Sequence, residues 1–257
     1  MNTGFYSAYA GFAARMDELE VVANNLANVN TAGFKSQREF YRSFAASLNE
    51  QNSMPAMMTV SQAVGRAANQ FGVLGGTRMD LSEGTLEVTN NDTDVALEGS
   101  GFFAVLTKSG VRYTRNGGFH LDQSRNLVTQ QGDPVLSEQP DRRPQPIQVP
   151  TGTVTISPDG SVSVSGALVA KLRVEDFPPN TPLQQEGGTY VTAPDGAGRP
   201  ATNTTVRQGA LETSNSDAIR STVTLIDLQR TSQIMEKALS IFHNEFNKSA
   251  AQDLPRI

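Results

Sequence analysis

The sequence predicts an α+β protein, mainly β. Its N- and C-terminal helices are expected to form a discontinuous coiled-coil-type domain, with a central β-rich domain inserted between them. Three observations carry this expectation. Apolar residues at both ends of the 257-residue chain recur at heptad spacing. Eleven of the 13 prolines lie between Pro134 and Pro200, which excludes long helices there. Short alternating runs bounded by turn residues fill the middle.

At the N-terminus, Phe5, Tyr9, Phe12, Met16, Leu19, Ala23 and Leu26 step 4-3-4-3-4-3, the period of about 3.5 that marks a coiled-coil seam. Asn2 or Thr3 caps the start, and Gly33 offers a left-handed stop after Asn30-Thr31-Ala32. Phe34, Tyr41, Phe44 and Leu48 keep a looser heptad-like spacing that predicts a second short helix. Asn49–Gly76 reads as a weakly ordered connector.

At the other end, Leu225, Leu228, Ser232, Met235, Leu239, Phe242 and Phe246 step 3-4-3-4-3-4. A second stripe, Ile219, Val223, Ile226, Ile234 and Ile241, lies on another face. One seam suffices for a two-stranded coil, whereas two stripes predict a helix covered from more than one side, in a multi-helix assembly. The alternative is a helix buried within its own monomer.

Between the ends, strands are predicted at Thr85–Val88, Val95–Leu97, Phe102–Thr107, Val111–Thr114 and Leu127–Thr129. The clearest hairpin joins Val154-Thr155-Ile156 to Val162-Ser163-Val164 through Pro158-Asp159-Gly160. Leu168, Ala170, Leu172 and Val174 continue the period of two until Pro178-Pro179. The expected division is therefore an N-terminal helix over 1–35, a connector over 36–75, a β-rich domain over 76–212 and a C-terminal helix over 213–257.

Composition narrows the chemistry. The chain has no Cys, which excludes disulfides, thiolate metal sites and cysteine nucleophiles. Its two histidines cannot build a three-His metal site; His120 falls in a turn-rich stretch and His243 in the C-terminal heptads. A net charge of −5 lacks the basic excess of a nucleic-acid binder. No apolar run approaches the ~20 residues of a membrane span, and the start does not resemble a standard secretory signal. Asn90-Asn91-Asp92-Thr93-Asp94 superficially resembles a calcium loop. It lacks the required Gly, with Val95 in that place, and the terminal Glu, so a turn is expected. Arg142-Arg143, among prolines, is expected in an exposed loop. No catalytic, cofactor-binding or metal-ligating residues are assigned, no small-molecule substrate is expected, and the chain is not expected to be an enzyme.

Five blocks carry a family resemblance. Ala23-Asn24-Asn25-Leu26-Ala27-Asn28, followed by Thr31-Ala32-Gly33-Phe34-Lys35, resembles the A-N-N-L-A-N and T-x-G-[FY]-[KR] signature of bacterial flagellar rod and hook proteins. Asp94-Val95-Ala96-Leu97-Glu98-Gly99-Ser100-Gly101-Phe102-Phe103 is similar to the D-x-A-I-x-G-x-G-F-F block of that family. Tyr113-Thr114-Arg115-Asn116-Gly117 with Phe119, then Leu127-Val128-Thr129 with Gly132, match two further blocks. Gln208-Gly209-Ala210-Leu211-Glu212 with Ser214-Asn215 resembles Q-G-x-L-E-x-S-N, although Ser216 stands where the family usually has Val.

The resemblance implies a structural subunit of the flagellar basal-body rod. Such a subunit polymerises through its terminal helices into a helical tube that crosses the periplasm, transmits torque and encloses the export channel. Implied partners are copies of itself, other rod proteins and, during secretion, the export apparatus. The length argues against a hook protein. The opening Gly4-Phe5-Tyr6-Ser7-Ala8 with Gly11 favours a rod member other than the distal one, which remains the alternative. A self-contained secreted coiled-coil/β binding module is the competing class. Under the family reading, the heptad residues from Phe5 to Leu26 and from Leu225 to Phe246 are helix interfaces. Asn24, Asn25 and Asn28 are expected to bond across subunits, because a buried unpaired amide costs about 1–3 kcal/mol. Gly33, Phe34, Gly99, Gly101, Phe102, Phe103, Arg115 and Gly117 are expected to shape the motif turns.

Overall fold

The computed structural model describes residues 2–42, 73–139, 143–179 and 181–253. Phe44, Leu48, most of the expected connector, Arg142 and the last four residues lie outside that set, as do the side chains of Phe5, Phe242, His243 and Phe246. The chain divides into two compact units.

The first unit takes residues 1–26, 37–78 and 217–257. It contains helix α1 (Asn2–Ala27), strands β1 (Gln37–Arg42) and β2 (Val73–Met79) paired as a ribbon, and helix α2 (Ala218–Asp253). Asp217 starts α2. Its carboxylate accepts the Ile219 and Arg220 amides at 2.9 and 3.1 Å, which satisfies donors that a helix start leaves without partners. On α2 the heptad row turns inward: Leu228 and Ser232 are buried, and Leu225, Met235 and Leu239 are half-buried.

The coiled-coil expectation is not met. On α1 the heptad seam is not the buried row, since Tyr9 and Met16 are exposed while Phe12, Leu19 and Leu26 are only half-covered. Among the described side chains of α1, the buried ones are Ala14 and Asn25. The helix approaches α2 at Gly11, where a Cβ would stand 3.9 Å from Met235 Cε. Small side chains let two helices meet on a face other than the one marked by large apolar residues. Knobs-into-holes packing of a heptad seam is therefore absent among the described residues, and the mainly β, α+β class stands without it. The second short helix is also replaced: Gln37–Arg42 is a strand, in keeping with the β preference of aromatic pairs such as Phe40-Tyr41.

The second unit takes residues 27–36 and 79–216. Its largest sheet runs in the order β13 (Gln184–Glu186), β14 (Tyr190–Thr192), β6 (Gly110–Thr114), β5 (Phe102–Thr107), β12 (Val174–Asp176) and β15 (Arg199–Pro200). The predicted Asp-Gly hairpin forms. Strand β9 (Val154–Ile156) pairs antiparallel with β10 (Ser161–Val164), Ile156 opposite Val162 and Val154 opposite Val164. All four face the core. A tight turn at Ser165-Gly166, both residues at positive φ, leads into β11 (Ala167–Lys171), where Leu168 is exposed.

Three small pairings follow, of which the first two bring the chain ends of the unit together. Strand β4 (Val95–Gly99) pairs with β16 (Thr204–Gln208), β3 (Leu86–Val88) with β17 (Ala210–Glu212), and β7 (His120–Leu121) with β8 (Leu127–Val128). The core is centred on Phe103, which meets Phe119 edge-on at 5.2 Å and packs with Val95, Leu97, Leu127 and Ile147. Fully burying such a side chain contributes about 1.5–3 kcal/mol.

Candidate functional site

The motif blocks, far apart in sequence, converge on one buried junction within the β unit. Glu212, the last residue of β17, is at its centre and is almost fully buried. Its Oε1 accepts the Lys35 ammonium at 2.6 Å and the Gly84 amide at 2.8 Å; its Oε2 accepts Arg115 Nη1 at 3.3 Å. Lys35 Nζ also donates to the Ser82 carbonyl at 2.6 Å. Burial holds the Lys35 pKa below the usual 10.5, and the hydrogen bond to Glu212 opposes that shift. Arg115 donates through Nη2 to the Gly99 carbonyl at 2.7 Å and lies over the Phe102 ring, 5.3 Å from its centroid.

Backbone and amide contacts complete the junction. The Gly33 amide donates to the Glu212 carbonyl at 2.7 Å, and the Ser36 amide to Asn215 Oδ1 at 2.7 Å. Asn215 Nδ2 donates to the Asp80 and Ser82 carbonyls at 2.9 and 3.1 Å. Phe34, fully buried, anchors the same segment.

Two glycines are required by close approach. At Gly33, with φ +67°, a Cβ would lie 2.2 Å from the Asn116 nitrogen; at Gly117 it would lie 1.6 Å from the Val95 carbonyl oxygen. Gly99 and Gly101 sit at positive φ in the link from β4 to β5, which delivers Phe102 against Phe177 and Phe103 into the core.

The three asparagines have different surroundings. Asn25 is buried, and both ends of its amide are taken by Gln37: Nδ2 donates to the Gln37 carbonyl at 2.8 Å, and Oδ1 accepts the Gln37 amide at 2.9 Å. Asn28 Oδ1 accepts the Thr31 hydroxyl at 3.2 Å. Asn24 is exposed.

Lys35, Glu212 and Asn215 were not singled out as site residues by sequence reasoning. Their signal was present: Lys35 closes the N-terminal signature, and Glu212 and Asn215 stand in the last motif block.

Among the described residues no cluster of three or more His, Cys, Asp or Glu could hold a metal ion. The Asn90–Asp94 segment closes on itself as a turn, with Asn91 Nδ2 donating to Asp94 Oδ1 at 3.0 Å. No described helix is long and apolar enough to cross a membrane.

The buried polar groups tie chain segments together, and the helices carry apolar residues to the surface. A family model described as the flagellar hook protein FlgE/F/G D1 domain matches residues 96–164, and one described as flagella basal body rod protein matches residues 5–35. The chain is 31% identical to the flagellar basal-body rod protein FlgF of Caulobacter vibrioides, covering 97% of this chain and 98% of that one. It is 30% identical to FlgG of Borreliella burgdorferi, over 95% and 96% of the two chains, and 29% identical to FlgG of Buchnera aphidicola from Acyrthosiphon pisum, over 90% and 92%. The chain belongs to the flagellar basal-body rod protein family and is a structural subunit of the rod, not an enzyme.

Proposed function

We propose that this subunit joins the rod through the outer faces of its two helices, packing against copies of itself and other rod proteins. The single observation that carries the reading is the exposed second stripe of α2. Ile219 is 79% exposed and Ile234 68%, with Val223, Ile226 and Ile241 on the same side. The described heptad row of that helix, from Leu225 to Leu239, is already buried or half-buried, so the stripe is a second apolar face without a covering layer among the described residues. On α1, Tyr9 and Met16 add exposed apolar surface. A head-to-tail contact that does not close generates an open helical tube, which would carry torque and enclose the export channel.

The absence of Cys suits a chain that passes the export apparatus unfolded, since no wrong disulfide can form. Among rod members, the opening Gly4-Phe5-Tyr6-Ser7-Ala8 with Gly11 favours the FlgF type over FlgG. The test is electron microscopy of basal bodies from cells that carry a labelled version of this chain. Label in the rod, on the side away from its distal end, is the expected result. Label outside the rod would refute the reading.

A further inference from the structure

The buried junction carries two cations and one carboxylate. Lys35, Arg115 and Glu212 are each at least 96% buried, so the buried groups hold one positive charge in excess, with the exposed Glu83 carboxylate acting on Lys35 from the solvent side. The two cations are not equivalent. Arg115 follows β6 in the middle of the β unit, where the Leu97 and Gly99 carbonyls accept its donors and Phe102 underlies it. Lys35 arrives on a separate segment, 27–36, attached by the Gly33 and Ser36 amides and by Phe34.

Removing each segment in thought gives different electrostatic outcomes. If 27–36 leaves, Glu212 keeps Arg115 and the Gly84 amide, and the buried charge becomes balanced. If β17 leaves first, Lys35 and Arg115 remain buried together without their shared carboxylate, the costlier arrangement. We infer that residues 27–36 form a releasable plug on a β unit that retains Glu212–Arg115 as its own charge-matched pair, so that the two terminal segments leave in a fixed order, the N-terminal one first.

Hydrogen exchange of the full-length protein across a urea series tests the order. In the unaltered protein, the peptide covering 27–36 is expected to open at lower urea than the peptide covering 206–216, with protection lower by about tenfold or more. Lys35 should gain reactivity toward acetylation by N-hydroxysuccinimidyl acetate in step with the first peptide. Lys35→Met should reduce protection of 206–216 by less than about threefold, whereas Glu212→Gln should reduce protection of both peptides by about tenfold or more. Simultaneous opening of the two peptides in the unaltered protein would overturn the inference. So would a Lys35→Met protein that loosens 206–216 as much as Glu212→Gln does. If Glu212→Gln fails to fold, the unaltered protein and Lys35→Met decide the matter alone.

Discussion

Gly33 lies so close to Asn116 that a Cβ at residue 33 would stand 2.2 Å from the Asn116 backbone nitrogen. The N-terminal motif and the Y-T-R-x-G block are thus in backbone contact, and their glycine and arginine answer to one packing requirement. Gly33→Ala is expected to destabilise the β unit by about 2 kcal/mol or more, because the residue also holds φ at +67°. The shift of the urea midpoint followed by tyrosine fluorescence measures it. A loss under ~0.5 kcal/mol would show that the junction yields easily.

Lys35 supplies a pH dependence of known sign. Its folded-state pKa is below the ordinary 10.5 because of burial. The unfolded chain therefore binds more protons over the alkaline range beneath 10.5, and stability rises with pH there. The difference in unfolding free energy between the unaltered protein and Lys35→Met should move in favour of the unaltered protein as pH is raised toward that value. A flat difference across the range would contradict the assigned shift.

Asp217 offers a local test at the start of α2. Replacing it by Ala removes the acceptor for the Ile219 and Arg220 amides, and a lost cap costs about 1 kcal/mol. Faster exchange of those two amides, with the β-unit amides unchanged, is the expected pattern by NMR.

The two rows of α2 should respond oppositely to a charge. Ile234→Asp places it on the exposed stripe, so free-subunit stability should change by no more than about 0.5 kcal/mol while rod incorporation and swimming are lost. Leu228→Asp places it in the covered row, where an unpaired buried charge costs several kcal/mol, so the helical unit should unfold before assembly is reached. Circular dichroism of the purified subunits and a soft-agar motility assay separate the outcomes. Normal swimming by Ile234→Asp would remove the stripe from the assembly surface.

Strands β3 to β6 and β8 to β12 were legible because their signals are local, whereas β13 to β17 were not. Alternation around Asp159-Gly160 fixes both the turn and the register of β9 and β10. The helices were legible as helices, but their buried faces were not. Heptad spacing identifies a large apolar row, whereas α1 buries Ala14 and Asn25, residues too small or too polar to mark an inward face. Asn25 shows the same limit: its partner is the backbone of Gln37, and a side chain used to hold main chain looks in sequence like any polar surface residue. The strand at Gln37–Arg42 was hidden because Phe34 and Tyr41, seven apart, fit one heptad as well as they fit a loop and a strand. The junction was visible only as fixed letters in four motifs. That they form one site depends on pairing over 177 residues, as between Lys35 and Glu212, and no window along the chain contains it.

The Ser165-Gly166 turn has a practical use. Both residues are at positive φ, and nothing lies within 4 Å of where a Gly166 Cβ would stand. A short epitope or a fluorophore-binding peptide inserted there would be carried on the β10–β11 hairpin, at a turn where the backbone already tolerates added chain. It supplies an internal attachment point for counting and locating subunits in living cells.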